Sequence, residues 1–315
     1  MCLCCIMALL VFSGCAGPIT EPGRQDGPKI ITTNFPLFDF TRVIAQGQCS
    51  VTQLLPPGAE SHSYEPSPRD IINIQECDLF LYIGGENDQW IKNILDSLGE
   101  SAPDSLALMD CVQTLPEVEI EGMTEVGHNH EHGESCGLEH GTDEHIWTSL
   151  RNAQLMVSAI CERLCAIDPE YADTYRKNAE AYCIQLEELD GRFVQMVDSA
   201  ARKSIVVGDR FPLLYFAQDY GIEWHAAFPG CSAQTEPSAA TVAFLTDYIR
   251  SEKLPVVFYI EFSNHKVADA IAEATGVETA LLHSCHNVTR DQLDAGVSYL
   301  SLMEQNYITL SEALN

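Results

Sequence analysis

Five of the ten histidines fall within eighteen residues, as His128-Asn129-His130-Glu131-His132 followed by His140 and His145, with Cys136 between them. Neutral imidazoles interleaved with carboxylates bind borderline divalent cations such as Zn²⁺, Cu²⁺ and Ni²⁺. The glycines in this run give it the spacing of a mobile loop, so it suits collecting or sensing metal better than caging it. A principal site needs ligands on fixed elements. His62 lies between Leu55-Pro56-Pro57-Gly58 and Tyr64-Glu65-Pro66-Ser67-Pro68, beyond a strand pattern and ahead of a helical one, where open α/β sheets place ligands. His145 stands in Asp143-Glu144-His145-Ile146-Trp147, directly before another helical pattern, and His283-Ser284-Cys285-His286 follows the last strand pattern. A histidine taken singly is more often structural than ligating, so the elements that position these residues decide the reading.

From residue 29 onward strands and helices alternate: 29–33, 37–45, 51–55, 68–76, 79–84 and 90–98. A second series runs through 204–207, 213–220, 224–228, 239–251, 256–261, 266–275 and 279–282. Such alternation implies parallel βαβ units. Apolar runs such as Val256-Val257-Phe258-Tyr259-Ile260 fit sheets covered on both faces. Between the series, Leu150, Ala153, Val157, Ile160 and Leu164 form one helical stripe. A second stripe follows Asp168-Pro169, an N-cap with the proline favoured in the first turn, and repeats Tyr175, Ala179, Tyr182, Leu186, Leu189, Phe193 and Met196. Running to Ala200, that helix would be about 48 Å long, enough to cross a two-lobed molecule. The expected architecture is α/β: two βα-repeat lobes with parallel sheets, joined by a long rigid helix, with the metal site in the cleft between them. Its segments are a leader (1–15), a tether (16–28), an N-terminal lobe (29–167) with the His-rich loop (127–145), the connecting helix (168–200) and a C-terminal lobe (201–315).

With 17 Lys and Arg against 46 Asp and Glu, the 315-residue chain carries a formal charge of −29. That field repels phosphate backbones, which excludes nucleic-acid binding, and it concentrates cations near the surface. The first fifteen residues are apolar, uncharged and too short to span a bilayer. Beyond the leader and Cys15, nine cysteines are scattered without a CxxC pair. This argues against a zinc ribbon, a thioredoxin-type motif or a complete disulfide framework.

Phe12-Ser13-Gly14-Cys15 resembles the lipobox of bacterial lipoproteins, which implies acylation of Cys15 and a membrane anchor. The segments around His62 and His145 resemble the PPG-x-x-x-H-x-Y-E-P-x-P and DPH-x-W signatures of the zinc- and manganese-binding receptor family of bacterial ABC importers. Glu261-Phe262-Ser263-Asn264-His265-Lys266-Val267-Ala268 is similar to that family's EPQFS-x-K-x-A. The resemblance covers nearly all of the chain from about Lys29 and includes the His-rich loop of the zinc-type members. It implies two lobes, a rigid connecting helix, a metal in the cleft and no catalysis. Carried over by position, His62 and His145 are the first two ligands, and His283 takes the place of the family's aspartate. The third ligand falls on Arg210, whose guanidinium cannot coordinate. The implied set is therefore His62, His145 and His283, completed by Asp209 or a water. His286 and Cys285 compete for the place of His283, and His128, His130, His132, His140 and His286 are auxiliary ligands.

The expected function is an extracytoplasmic, monomeric receptor on the outer face of the membrane. It would carry Zn²⁺, with Mn²⁺ as the alternative cargo, to an ABC-type permease. A zinc-buffering or adhesin-type surface lipoprotein is the competing reading. A zinc hydrolase is a third, although HExxH and a Gly-rich phosphate loop are missing from the sequence.

Overall fold

The computed structural model describes residues 18–60, 64–118, 141–231 and 236–315. In the N-terminal half, β2 (Lys29–Thr32), β3 (Ser50–Gln53), β4 (Leu79–Tyr82) and β5 (Asp104–Ala107) form a parallel sheet. β1 (Ile19–Glu21) adds to β3 as an antiparallel edge strand, giving the order β1-β3-β2-β4-β5. This edge strand comes from the stretch expected to be tether. Three residues are too short to announce themselves by alternation, and the strand exists only through its pairing with β3.

The C-terminal half is a four-stranded parallel sheet in the order β7-β6-β8-β9, from β6 (Ser204–Phe211), β7 (Glu223–Pro229), β8 (Val256–Tyr259) and β9 (Glu278–Leu281). Both halves are therefore α/β lobes with parallel sheets, as the alternation predicts.

Helix starts follow their local chemistry. Asn34 caps α1 (Phe35–Ala45), Ser67 and Asp70 form a capping box on α2 (Pro68–Gln75), and Ser149 caps α4 (Leu150–Ile167). Asp168 departs from expectation. Residues Pro169–Tyr171 form a 3₁₀ turn and α5 begins at Ala172, running to Ser199. The Asp168 carboxylate instead binds Arg24 at 2.9 Å and accepts the Tyr175 hydroxyl, so it ties the chain start to the helix rather than capping it.

At 28 residues α5 is about 42 Å long. One face, Tyr175 to Met196 at the spacing read from sequence, is buried along its whole length. It packs on α1 and α4 at one end and on α6 (Leu214–Tyr220) at the other. There Phe193 meets Phe216 edge-on at 5.0 Å and stacks on Tyr220 at 5.2 Å. Each fully buried aromatic of this kind contributes about 2–3 kcal/mol. The C-terminal helix α10 (Tyr299–Leu314) is a second tie between lobes. The Tyr299 amide donates to buried Asp39 of α1 at 2.8 Å, and its hydroxyl donates to the Trp147 carbonyl at 2.6 Å. The main apolar cluster runs through both lobes by way of α5 and α10, and each lobe has a smaller separate cluster, around Phe80 in the first and Val257 in the second.

Candidate metal centre

On the N-terminal side, His145 follows a short bridge between Pro116 and Thr142 and precedes a 3₁₀ turn, Ile146–Thr148. The ring is buried. Its Nδ1 lies 3.2 Å from Asp143 Oδ1, and its backbone amide donates to the same oxygen at 2.9 Å. Asp143 is in turn held from both lobes: its amide donates to Leu115 O at 2.9 Å, and its carbonyl accepts the Tyr215 hydroxyl of α6 at 2.7 Å. A carboxylate on one ring nitrogen fixes tautomer and orientation, which is how proteins aim a metal-binding imidazole. Burial opposes the charged ring, but the Asp143 carboxylate, followed by Cys231, outweighs it and holds the His145 pKa well above the ordinary imidazole value. The ligand atoms of Asp143, His145 and Cys231 lie within 4.8 Å of one another. Glu144 faces away from this group, its carboxylate accepting the Asn87 amide and side chain at 2.8 Å each. A Cβ on Gly85 would fall 2.5 Å from that carboxylate, so the loop closes only over a glycine.

On the C-terminal side the chain leaves β9 into Leu282-His283-Ser284-Cys285-His286, all buried. Buried Glu261, beyond β8, organises this turn. Its Oε2 accepts the Ser284 amide at 2.7 Å, and its Oε1 accepts the Ser284 hydroxyl at 2.6 Å. Oε1 also lies 3.0 Å from His286 Nδ1 and 3.2 Å from His283 Nδ1. Burial alone would raise the Glu261 pKa, but His283 and then His286 hold it well below the ordinary carboxylate range. The Nε2 atoms of both rings are buried and make no hydrogen bond among the described residues. Such atoms are costly unless something supplies a partner. The two rings are not equivalent. His283 Nδ1 accepts the Cys285 amide at 2.9 Å, which leaves the proton of a neutral ring on Nε2. His286 Nδ1 faces only the Glu261 oxygen and the Ser284 hydroxyl, at 3.0 Å each, so its proton sits there and its Nε2 lone pair is open. Phe262 and Cys285 hold left-handed backbone at φ 61° and 64°, an arrangement that costs non-glycine residues of order 1–3 kcal/mol and clusters at functional sites.

The two sides meet. Trp147 packs against His145 with centroids 5.3 Å apart, and its indole N–H donates to Ser284 O at 2.8 Å. Asn287 reaches across to the loop ahead of His62, donating to Pro56 O at 2.7 Å and Ala59 O at 2.9 Å. This sets Glu60 Oε2 3.9 Å from His286 Nε2 and 3.5 Å from Arg210.

A profile of the family described as zinc-uptake complex component A, periplasmic, matches residues 30–313. The chain belongs to this family. It is 32% identical over 310 residues to zinc-binding lipoprotein AdcA of Streptococcus pneumoniae (strain R6), matching 97% of this chain but only 60% of that protein. It thus spans about 60% of the length of that relative. It is also 29% identical over 308 residues to the high-affinity zinc uptake system protein ZnuA of Bacillus subtilis, covering 97% of this chain and 94% of that one. Among solved structures, the Zn(II)-bound ZnuA-like domain of S. pneumoniae AdcA superposes with a TM-score of 0.75 at 30% identity, over 91% of this chain and 99% of that one.

In this member of the zinc-uptake family the described residues bring His283 and His286 together on Glu261, and His145 onto Asp143 beside Cys231. Asp209 lines a polar cavity of about 210 Å³ with Glu60, Arg210, Glu261 and Phe262, but its Oδ1 accepts the Arg210 amide at 2.8 Å. His62, His128, His130, His132, His140 and the acylation candidate Cys15 lie outside the described residues. Among the described residues no helix is long and apolar enough to cross a membrane. Asp143 and Glu261 stand in the segments quoted from the sequence, but neither they nor Cys231 are expected there as parts of the metal site. The available signals were a carboxylate two residues before a candidate ligand and a Pro229-Gly230-Cys231 turn at a strand end.

Proposed function

We propose that the chain is an extracytoplasmic receptor, anchored through acylated Cys15, that captures Zn²⁺ at the seam of its lobes and delivers it to the permease of an ABC importer. The observation that carries this reading is the buried His286 ring, tethered at Nδ1 to Glu261 with its Nε2 left for a partner. With His145 across the seam, it supplies imidazoles from separate lobes to one ion, and His62, two residues beyond Glu60 in the sequence, adds a further imidazole. His286 takes precedence over His283 because the Cys285 amide occupies His283 Nδ1 and sends that ring's proton to Nε2. Asp209 remains the carboxylate candidate for a further position. Imidazole-rich donor sets favour Zn²⁺ over Mn²⁺, and each bound ring must be neutral. The His-rich loop, with His128, His130, His132 and His140, collects metal ahead of the seam.

Capture changes the protein only as far as Zn²⁺ prefers one arrangement of the lobes over another. Because α5, α10 and a shared core already tie the lobes, the change on capture is local to the seam. The same geometry suits a cargo site better than a hydrolytic one, since the cation is approached by imidazoles from both lobes.

Isothermal titration with Zn²⁺ tests the assignment. His286→Ala and His145→Ala lose most of the zinc affinity, whereas His283→Ala, in a variant that still melts cooperatively, retains more of it. Equal and full zinc binding by all three variants would remove the seam as the site.

A further inference from the structure

Family resemblance leaves this chain without a third ligand, because Arg210 stands at that position and a guanidinium cannot coordinate. Arg210 is also committed to Glu60 at 3.5 Å. The neighbouring strand of the same sheet supplies a replacement. β6 and β7 pair so that Arg210 lies beside Phe228 and Phe211 beside Pro229, which puts Cys231 two residues past the paired end of β7. There its ligand atom falls within 4.8 Å of those of His145 and Asp143. The approach is built rather than incidental. A Cβ at Gly230 would lie 2.8 Å from Phe211 O, 3.1 Å from Asp143 Oδ2 and 3.4 Å from His145 Cε1, so only glycine lets the turn come this close. The Cys231 amide donates to Glu117 Oε1 at 2.8 Å, which fixes the turn from the N-terminal lobe.

We propose that the Cys231 sulfur, as thiolate, is the C-terminal lobe's replacement for the missing third ligand, binding the cargo ion opposite His145 while Asp143 orients that ring. This rests on the zinc-receptor reading and deepens it. On binding, a sulfur–metal bond forms and the thiol proton leaves to solvent, with no change of oxidation state. Asp143 Oδ1, which already serves both the ring and the amide of His145, is the positioning group rather than a ligand. A thiolate makes the site softer, so it selects Zn²⁺, and Cd²⁺ with it, against Mn²⁺.

Cobalt(II) is the probe, because a thiolate bound to Co²⁺ gives a near-ultraviolet charge-transfer band that imidazole and carboxylate do not. The full chain is titrated as wild type, Cys231→Ser, Cys231→His and the control Cys165→Ser. Wild type and Cys165→Ser develop the band up to one equivalent. Cys231→Ser takes up Co²⁺ without the band. Partners one shell out from a metal ligand are worth about 10–100-fold in affinity, so loss of the ligand itself lowers zinc affinity by at least about 100-fold. Cys231→His restores zinc affinity without restoring the band. A band that survives in Cys231→Ser, or is missing from wild type that binds one equivalent of Co²⁺, overturns the thiolate while leaving the receptor intact. Wild type that takes up neither Co²⁺ nor Zn²⁺ overturns both.

Discussion

Glu261→Gln separates an orienting carboxylate from a passive one, because the structure specifies what an amide of the same shape would meet. Oε2 accepts the Ser284 amide at 2.7 Å, while Oε1 accepts the Ser284 hydroxyl at 2.6 Å and faces His286 Nδ1 at 3.0 Å. If the glutamine nitrogen takes the Oε1 position, it donates to His286 Nδ1 and drives that ring's proton onto Nε2, the atom assigned to zinc. If it takes the Oε2 position, two N–H donors confront each other inside the protein, at a cost of about 1–3 kcal/mol in stability. Loss of a partner that orients a metal-binding histidine typically lowers affinity about 10–100-fold, or about 1.4–2.7 kcal/mol. Competition against a chromogenic chelator at neutral pH reads the affinity, and thermal melts over a pH series read the stability. The Glu261 pKa is depressed in the folded state. Its contribution is therefore present above the ordinary carboxylate range and lost as pH falls through the folded value. Wild type should lose stability toward acid through this group, and Glu261→Gln should lack that component. A variant that binds zinc as tightly as wild type and melts at the same temperature at every pH would refute the reasoning.

Two further outcomes follow from the same structure. Gly208→Ala places a Cβ 2.6 Å from Ala268 Cα and 2.7 Å from its backbone nitrogen at the start of α8 (Lys266–Thr275), so the helix must shift. Overpacking of this kind costs about 1–3 kcal/mol, visible as a lower midpoint in denaturant unfolding, and an unchanged midpoint would contradict it. Asp88 is half-buried and its pKa is pushed up to about 7, first by desolvation, with nearby Glu144 adding to it. A folded pKa above the unfolded value means stability that is full below about pH 4 and is lost as pH rises toward 7. Asp88→Asn, whose carbonyl can still accept the Gly84 amide, should remove that slope from a plot of stability against pH.

The two-lobed fold was readable because its signals are local and redundant. β8 is an unbroken apolar run, and the buried face of α5 repeats from Tyr175 to Met196 without a gap. What escaped depends on contacts between distant residues. β1 exists through β3, and α10 gains its role from Asp39 and Trp147, which lie more than 140 residues earlier. Asp168 looks like an N-cap in sequence, yet Arg24 and Tyr175 claim its carboxylate. The site divides the same way. His145 and the His283–His286 turn stand out because histidine at a strand end is uncommon and chemically specific. Cys231 was one of nine scattered thiols, and only the pairing of β7 with β6 and the missing Cβ of Gly230 bring it beside His145. The difference between His283 and His286 is a matter of one backbone amide, which no spacing rule contains.

The most direct measurement is anomalous scattering at the zinc edge from crystals of the zinc-loaded chain. The account predicts a strong peak at the lobe seam with ring nitrogens of both His145 and His286 about 2.0–2.1 Å away. A fully occupied peak elsewhere, with those two rings facing different surroundings and sharing no ion, would contradict it.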